Sequence, residues 1–393
     1  MPIKLKKLAE LSWTETVNYY ATLLGAPFVV LKAILSLPFV DRSGKTKLRY
    51  IHDNFLRFAV DSFNAPQFQK FLGPDEGVYR GWAKVAKVEP VIETIPDSGG
   101  IRIFWIGGKP EGMSTSRVIV YLHGGGFVIP VQESLLLFYH YVQCTLSKRA
   151  PAGAQCSLAM VEFSLATQTP FPTQLRETVA AVQYIINSGI DPDKIIITGD
   201  SAGANLSYQL LQHVLNPRLP TVPALNLGSK SMSDPGSDSP FAGVFFMSPW
   251  FDLEGRQPSF RGKLHAESDT VTANFLLHCG ALTLDSIEPS DIEEGRKWLL
   301  GQLNPAGLDR VVKKVLVYGG GRERLIDDIP EFSGRLKEVF GGKGGDGDET
   351  GRHELVVGEF GVHDDMGYDF VVGQGPSEDA RRIGEWFCEA FGL

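Results

Sequence analysis

Residues 195–208 read IIITGDSAGANLSY: a β-branched run, then Gly199-Asp200-Ser201-Ala202-Gly203, then a stretch with helical character. The run Ile195–Thr198 suits a buried strand and Asn205–Val214 suits a helix, so the residues between them must reverse the chain in one tight turn. In that context the serine at the centre of G-x-S-x-G is held up at the carboxyl end of a sheet. The flanking glycines remove the side chains that would clash in so sharp a turn. The five-residue pattern alone arises by chance; its strand–turn–helix setting is what makes Ser201 a candidate nucleophile.

Working outward from this turn, short continuous apolar runs recur at Val118–Leu122, Leu158–Phe163, Val244–Met247, Val315–Tyr318 and Leu355–Phe360. Such runs suit central strands buried on both faces of a parallel sheet. Helical stretches separate them at about 131–148, 173–188, 202–215, 326–340 and 377–391. The alternation predicts a doubly wound α/β fold with helices on both faces. Val88–Pro96 and Ile101–Gly107, turned by Asp97-Ser-Gly-Gly, read as a hairpin that supplies an antiparallel edge. Residues 1–85 read as mostly helical and rich in aromatics, and 252–300 is too long for one crossover, so both are expected to build a helical cap. Asn226–Pro240 and Gly341–Gly351 read as surface insertions.

A serine hydroxyl needs a general base, an orienting carboxylate and donors for the oxyanion. Upstream, His123-Gly124-Gly125-Gly126-Phe127 ends the strand Val118–Leu122. Backbone N–H groups of Gly124, Gly125 and Gly126 can converge on one point, and Ala202 can complete the hole. His123 is expected to buttress the loop. The downstream histidines are His213, His265, His278, His353 and His363, and only His363 falls in a loop just after a strand. The carboxylate belongs in the loop after Val315–Tyr318, where Glu323, Asp327 and Asp328 all qualify by position. Glu323 lies a few residues past the strand, whereas Asp327 and Asp328 resemble the acidic start of a helix.

The chain has 393 residues, 43% hydrophobic and 21% charged, with a formal charge of −8, which allows a large core and argues against a nucleic-acid surface. Cys144, Cys156, Cys279 and Cys388 have no metal-ligand spacing and read as reduced thiols in a cytoplasmic protein. Basic residues cluster only at Lys4, Lys6 and Lys7. Residues 17–40 are apolar but interrupted by Asn18, Pro27, Lys32 and Pro38, and no cleavage site follows. They read either as cap helices over the site or as a segment in weak association with a membrane; Ser12-x-x-Glu15 looks like a capping box that opens a helix.

Together these residues resemble the hormone-sensitive-lipase-like family of α/β-hydrolases. The resemblance spans about 88–391 and rests on HGGGF at 123–127, FP at 171–172, GDSAG at 199–203, SPWFDL at 248–253, Glu323-x-Leu325-x-Asp327 and the HD pair at 363–364. It implies an α/β-hydrolase fold, with a mostly parallel eight-stranded sheet, helices on both faces and a helical cap. It also implies a Ser201–Glu323–His363 triad in which Glu323 replaces the family's usual aspartate, with Asp327 the alternative acid, and Gly125 and Gly126 as oxyanion donors. The expected activity is hydrolysis of a small hydrophobic ester, without metal or organic cofactor. A non-hydrolytic cyclisation, acyl transfer or elimination on the same triad is the first alternative, and a non-catalytic ligand receptor the second. One departure stands out: members often carry Tyr-Arg-Leu-Ala-Pro-Glu before the FP pair, and here Phe163-Ser164-Leu165-Ala166-Thr167-Gln168 stands in its place. The support under the oxyanion loop must therefore be built differently. With the long amino-terminal region, this departure resembles the fungal steryl acetyl hydrolase-like and secondary-metabolite branch.

Overall fold

The computed structural model describes residues 8–42, 44–110, 115–227, 240–341 and 352–393. Lys4, Lys6 and Lys7 lie outside these residues, as do the two expected insertions at 226–240 and 341–351 almost entirely. Four helices open the chain: α1 (Trp13–Ser36), α2 (Lys47–Ser62), α3 (Ala65–Leu72) and α4 (Asp75–Ala86). The Ser12–Glu15 capping box does start α1, with the Ser12 amide donating to the Glu15 carboxylate at 2.8 Å. Pro27 lies inside α1, so the segment read as two helices is one.

The strands are β1 (Val91–Thr94), β2 (Arg102–Ile106), β3 (Arg117–Leu122), β4 (Cys156–Glu162), β5 (Ile195–Asp200), β6 (Gly243–Met247), β7 (Val315–Gly320) and β8 (His353–Gly358). They form one sheet of order β1-β2-β4-β3-β5-β6-β7-β8. β1 pairs with β2 and β2 with β4 antiparallel, and every later pairing is parallel, as expected for a hairpin on the edge of a doubly wound sheet. The last strand starts two residues before the apolar run that announced it. His353 opens β8 instead of preceding it, because this edge strand is half-buried and its start carries no apolar signal.

Between the strands run α5 (Glu133–Arg149), α6 (Thr173–Asn187), α7 (Ala202–Leu215), α8 (Pro258–Arg261), α9 (Lys263–Ser268), α10 (Ala273–Asp285), α11 (Ile292–Leu299), α12 (Asp328–Phe340), α13 (Tyr368–Val371) and α14 (Glu378–Ala390). Successive strand residues point to opposite faces. Val118, Val120 and Leu122 of β3 therefore join Leu175 of α6, Leu206 of α7 and Ile329 of α12 in one core. Ile119 and Tyr121 join Tyr79 of α4, Leu135 of α5 and Phe387 of α14 in the other. Each fully buried Val, Leu or Ile contributes about 1.5–3 kcal/mol, so these two layers hold the sheet rigid beneath the loops at its carboxyl edge. α4 packs on the sheet itself, with Tyr79 stacked on Phe104 at 5.2 Å and its hydroxyl donating to the Trp105 carbonyl at 2.5 Å. All four cysteines are free.

Candidate active site

Ser201 sits between β5 and α7 with φ 51° and ψ −116°. A non-glycine residue held there costs of order 1–3 kcal/mol and persists only where its neighbours fix it. Its amide donates to the Met247 carbonyl at 2.9 Å and its carbonyl accepts from the Trp250 amide at 3.2 Å, so the strand and loop of β6 supply that restraint. Ser201 is 3% exposed.

Four strand ends bring the expected residues together. His363, after β8, places Nε2 2.9 Å from the Ser201 hydroxyl, while its Nδ1 lies 2.9 Å from Glu323 Oε2, after β7. Nδ1 must be the donor to that carboxylate, which leaves Nε2 free to accept the serine proton. Glu323 is fully buried, and its other oxygen accepts the Gly320 amide at 3.0 Å. Asp327, the alternative acid, takes no part in this chain. Its carboxylate accepts the Ser259 amide at 2.7 Å and anchors α8, because one turn of chain beyond Glu323 aims it at the cap.

Gly125 and Gly126, both at positive φ (94° and 61°), line the same cavity as Ser201. Their amides have no protein acceptor among the described residues. Ala202 is the first residue of α7, where amides are free of intrahelical partners. Gly124 departs from the expected set. Its amide donates to Asp200 Oδ2 at 3.0 Å, so it braces the loop and is not a free oxyanion donor. Asp200 also accepts the Tyr121 hydroxyl at 2.6 Å, and it thereby ties the loop after β3 to the serine turn.

The missing arginine motif is replaced from the amino-terminal helices. Gln69 of α3 donates to the Val128 carbonyl at 2.6 Å, and Asp75 of α4 accepts the Val131 amide at 2.7 Å. Ala166 donates to the Phe127 carbonyl at 2.7 Å, and buried His123 stacks on Phe163 with ring centroids 4.4 Å apart. His123 is thus a brace for the loop, as its position suggested. On the other side, buried Arg49 of α2 donates to Asp53 at 2.7 Å and to Asp369 at 2.8 Å, and pairs with Asp365. α2 is thereby clamped to the His363 loop.

Two carboxylates around His363 escaped the sequence reading. Asp269, fully buried, accepts the His363 amide at 3.0 Å, the Arg324 amide at 2.8 Å and the Thr270 amide at 2.8 Å. It lies within the cap segment, where nothing in the local pattern marks it. Asp364, the second residue of the HD pair, holds Oδ2 3.3 Å from His363 Nε2. Burial opposes a charged imidazolium, but Asp364, Glu323 and Asp269 more than offset it, so His363 holds its proton above the ordinary histidine range. Burial pushes the Glu323 carboxyl up, against the pull of His363.

Leu56 and Val60 of α2, Phe68 of α3, and Phe275 and Leu276 of α10 close over these groups. The cavity they leave holds about 20 Å³ of free space. Among the described residues no cluster of side chains has the makings of a metal site.

Residues 119–343 match the alpha/beta hydrolase fold family. The chain is 25% identical over 260 residues to neutral cholesterol ester hydrolase 1 of Bos taurus, which covers 62% of this chain and 58% of that protein. It is 27% identical over 228 residues to an esterase of Acinetobacter venetianus, covering 58% of this chain and 63% of that one. The chain thus spans less than two thirds of either relative's length. In fold it is similar to an esterase of the bacterial hormone-sensitive lipase family, with TM-score 0.56 and 21% identity over 98% of this chain and 100% of that one. It is also similar to the hormone-sensitive-lipase homologue EstE7 from a metagenome library, with TM-score 0.58 and 19% identity over 87% and 98%.

Replacing Asp269 by Ala strands three buried amides, each costing about 1–3 kcal/mol when unpaired. Asp269→Ala is expected to lower stability by about 3 kcal/mol or more, and Asp269→Asn by less, as measured by urea unfolding.

Proposed function

Because this chain belongs to the alpha/beta hydrolase fold family, we propose that it is a serine hydrolase acting on a carboxylic ester with a hydrophobic acyl or alcohol part. The observation that carries this reading is the unbroken chain from the Ser201 hydroxyl through His363 to Glu323, at 2.9 Å and 2.9 Å, beside the free amides of Gly125 and Gly126. Ser201 attacks the ester carbonyl as His363 takes its proton, and Glu323 steadies the imidazolium that forms. The amides of Gly125, Gly126 and Ala202 receive the developing oxyanion. His363 then protonates the leaving alcohol and activates water to release the acid. The similarity to esterases supports the same class of reaction. The apolar side chains over Ser201 favour a hydrophobic substrate. α1 to α3 serve as the cap and 86–393 as the catalytic domain, with 252–300 of that domain contributing further cap helices.

The amino-terminal helix adds a lipid-facing surface to this reading. α1 is long and apolar enough to cross a membrane by length and composition. One face of α1 is packed, with Tyr19 stacked on Phe63 at 5.4 Å and Asn64 donating to Glu15 at 2.8 Å, so the helix lies along the cap. The opposite face leaves Leu24 75%, Phe28 74% and Leu35 65% exposed. A separate open groove of about 550 Å³ is lined by Val30 of α1, Leu48, Ile51 and Phe55 of α2, and Val371. A helix with one apolar face outward suits the interface of a bilayer more than its interior.

Ser201→Ala should abolish hydrolysis of a p-nitrophenyl acyl ester while leaving the unfolding midpoint nearly unchanged; near-normal turnover would exclude this reading. Catalysis needs neutral His363, and its proton is held above the ordinary range. Activity therefore falls as pH drops through that raised value, and the acid limb of kcat/KM should lie above the ~6.5 of free imidazole.

A triple change of Leu24, Phe28 and Leu35 to Glu should cut co-sedimentation with phosphatidylcholine vesicles at least tenfold without slowing turnover of a soluble ester. Unchanged co-sedimentation would remove α1 from the account.

A further inference from the structure

The proposed triad leaves one buried acid without an assignment. Asp364 is 2% exposed and lines the cavity over Ser201 together with Gly125, Gly126 and His363. Its Oδ2 approaches His363 Nε2 at 3.3 Å, on the same ring nitrogen that meets the Ser201 hydroxyl. Its Oδ1 has no hydrogen-bond partner among the described residues. The residue is held in the left-handed region (φ 54°, ψ 35°), a conformation Asp tolerates better than most side chains. Its amide donates to the Ser248 hydroxyl at 3.3 Å. The next acid, Asp365, is taken by Arg49, and His363 is the cationic partner recorded for Asp364 among the described residues.

A buried carboxylate oxygen without a donor costs on the order of 1–3 kcal/mol, more when charged. Such a group calls for an explanation, and beside a reacting serine a bound water or a catalytic role is one. Two features point to the water. The cavity that Asp364 lines with Ser201 and His363 has room for water, which needs a polar partner to be held there. The side of His363 that Asp364 faces is the Nε2 side, where a deacylating water must give up its proton.

We propose that Asp364 anchors the water that hydrolyses the acyl-enzyme, a role that rests on the serine-hydrolase reading above. One water hydrogen is donated to Asp364 and the other is directed to His363 Nε2. The water oxygen attacks the carbonyl carbon of the acyl-Ser201 ester as its proton moves to Nε2. The bond from that carbon to Ser201 Oγ then breaks, Oγ recovers the proton from Nε2, and the carboxylic acid leaves. Acylation does not use this water, so Asp364 separates the two halves of the reaction and favours hydrolysis over transfer to an alcohol.

The test is pre-steady-state release of p-nitrophenol from p-nitrophenyl butyrate by wild type, Asp364→Ala and Asp364→Asn, with the acyl-enzyme followed by intact-mass spectrometry. Read above the acid limb of both proteins, where His363 is neutral in each, the expected result for Asp364→Ala is a burst of near-normal rate and amplitude, steady turnover reduced at least tenfold, and accumulated acyl-Ser201. Asp364→Asn, which keeps the shape and one acceptor oxygen, should fall between and serves if the alanine variant does not fold. Burst and turnover falling together would make Asp364 a structural support of His363, and unchanged turnover would leave it no role in the reaction; either overturns the proposal. Wild type that forms no acyl-enzyme at all would overturn the serine-hydrolase reading itself, a result distinct from both.

Discussion

At Gly203 the backbone of α7 comes so near β3 that a Cβ placed there would lie 1.9 Å from the Leu122 carbonyl oxygen and 2.6 Å from that of His123. No side chain can occupy that space, and the approach decides the rest of the site. It lays the first turn of α7 directly against the end of β3, just after the positive-φ turn at Ser201. It also sets the Ala202 amide beside the loop that starts at His123. Asp200 holds the same junction from the other side through Gly124 and Tyr121. Ser201 and the loop at 123–127 are thus fixed by close backbone approach together with the Asp200 carboxylate.

The other half of the site is fixed by charge. Glu323 and Asp364 approach the His363 imidazole and Asp269 accepts the backbone amide of the same residue, while Glu323 and Asp269 each accept a further amide. Three carboxylates around one histidine would repel in an apolar interior unless the ring carried a proton or amides spread their charge. This arrangement makes the His363 loop depend on the cap, because Asp269 comes from the segment before α10 and Arg49 from α2. The helices that cover the cavity are therefore also tied to the His363 loop.

The sequence disclosed what depends on local pattern. Six of the eight strands follow from continuous apolar runs and the first two from a hairpin signal. Ser201 and His363 are marked by their places just beyond strand ends, while Glu323 shares its loop with Asp327 and Asp328 and is singled out by the family resemblance. The start of β8 was missed because an edge strand with one open face has no such run. Asp269 was invisible for a different reason: it acts through three amides 1 to 94 positions away, and only the folded chain brings them together. Gly124 looked equivalent to its two neighbours, and only the position of Asp200 shows that its amide is occupied. The replacement for the missing arginine motif could be foreseen as a need, while its source in Gln69 and Asp75 could not. α1 was legible as apolar, but its division into a packed and an open face required the contacts with Phe63 and Asn64.

The account rests on Ser201 being activated by His363, and a covalent probe addresses that most directly. The protein is treated with a fluorophosphonate and the adduct is mapped by peptide mass spectrometry, with His363→Ala alongside. The account predicts a single adduct on Ser201 in the unaltered protein and its loss, or slowing by orders of magnitude, in the variant. An unlabelled Ser201, or labelling that is indifferent to His363, would contradict it.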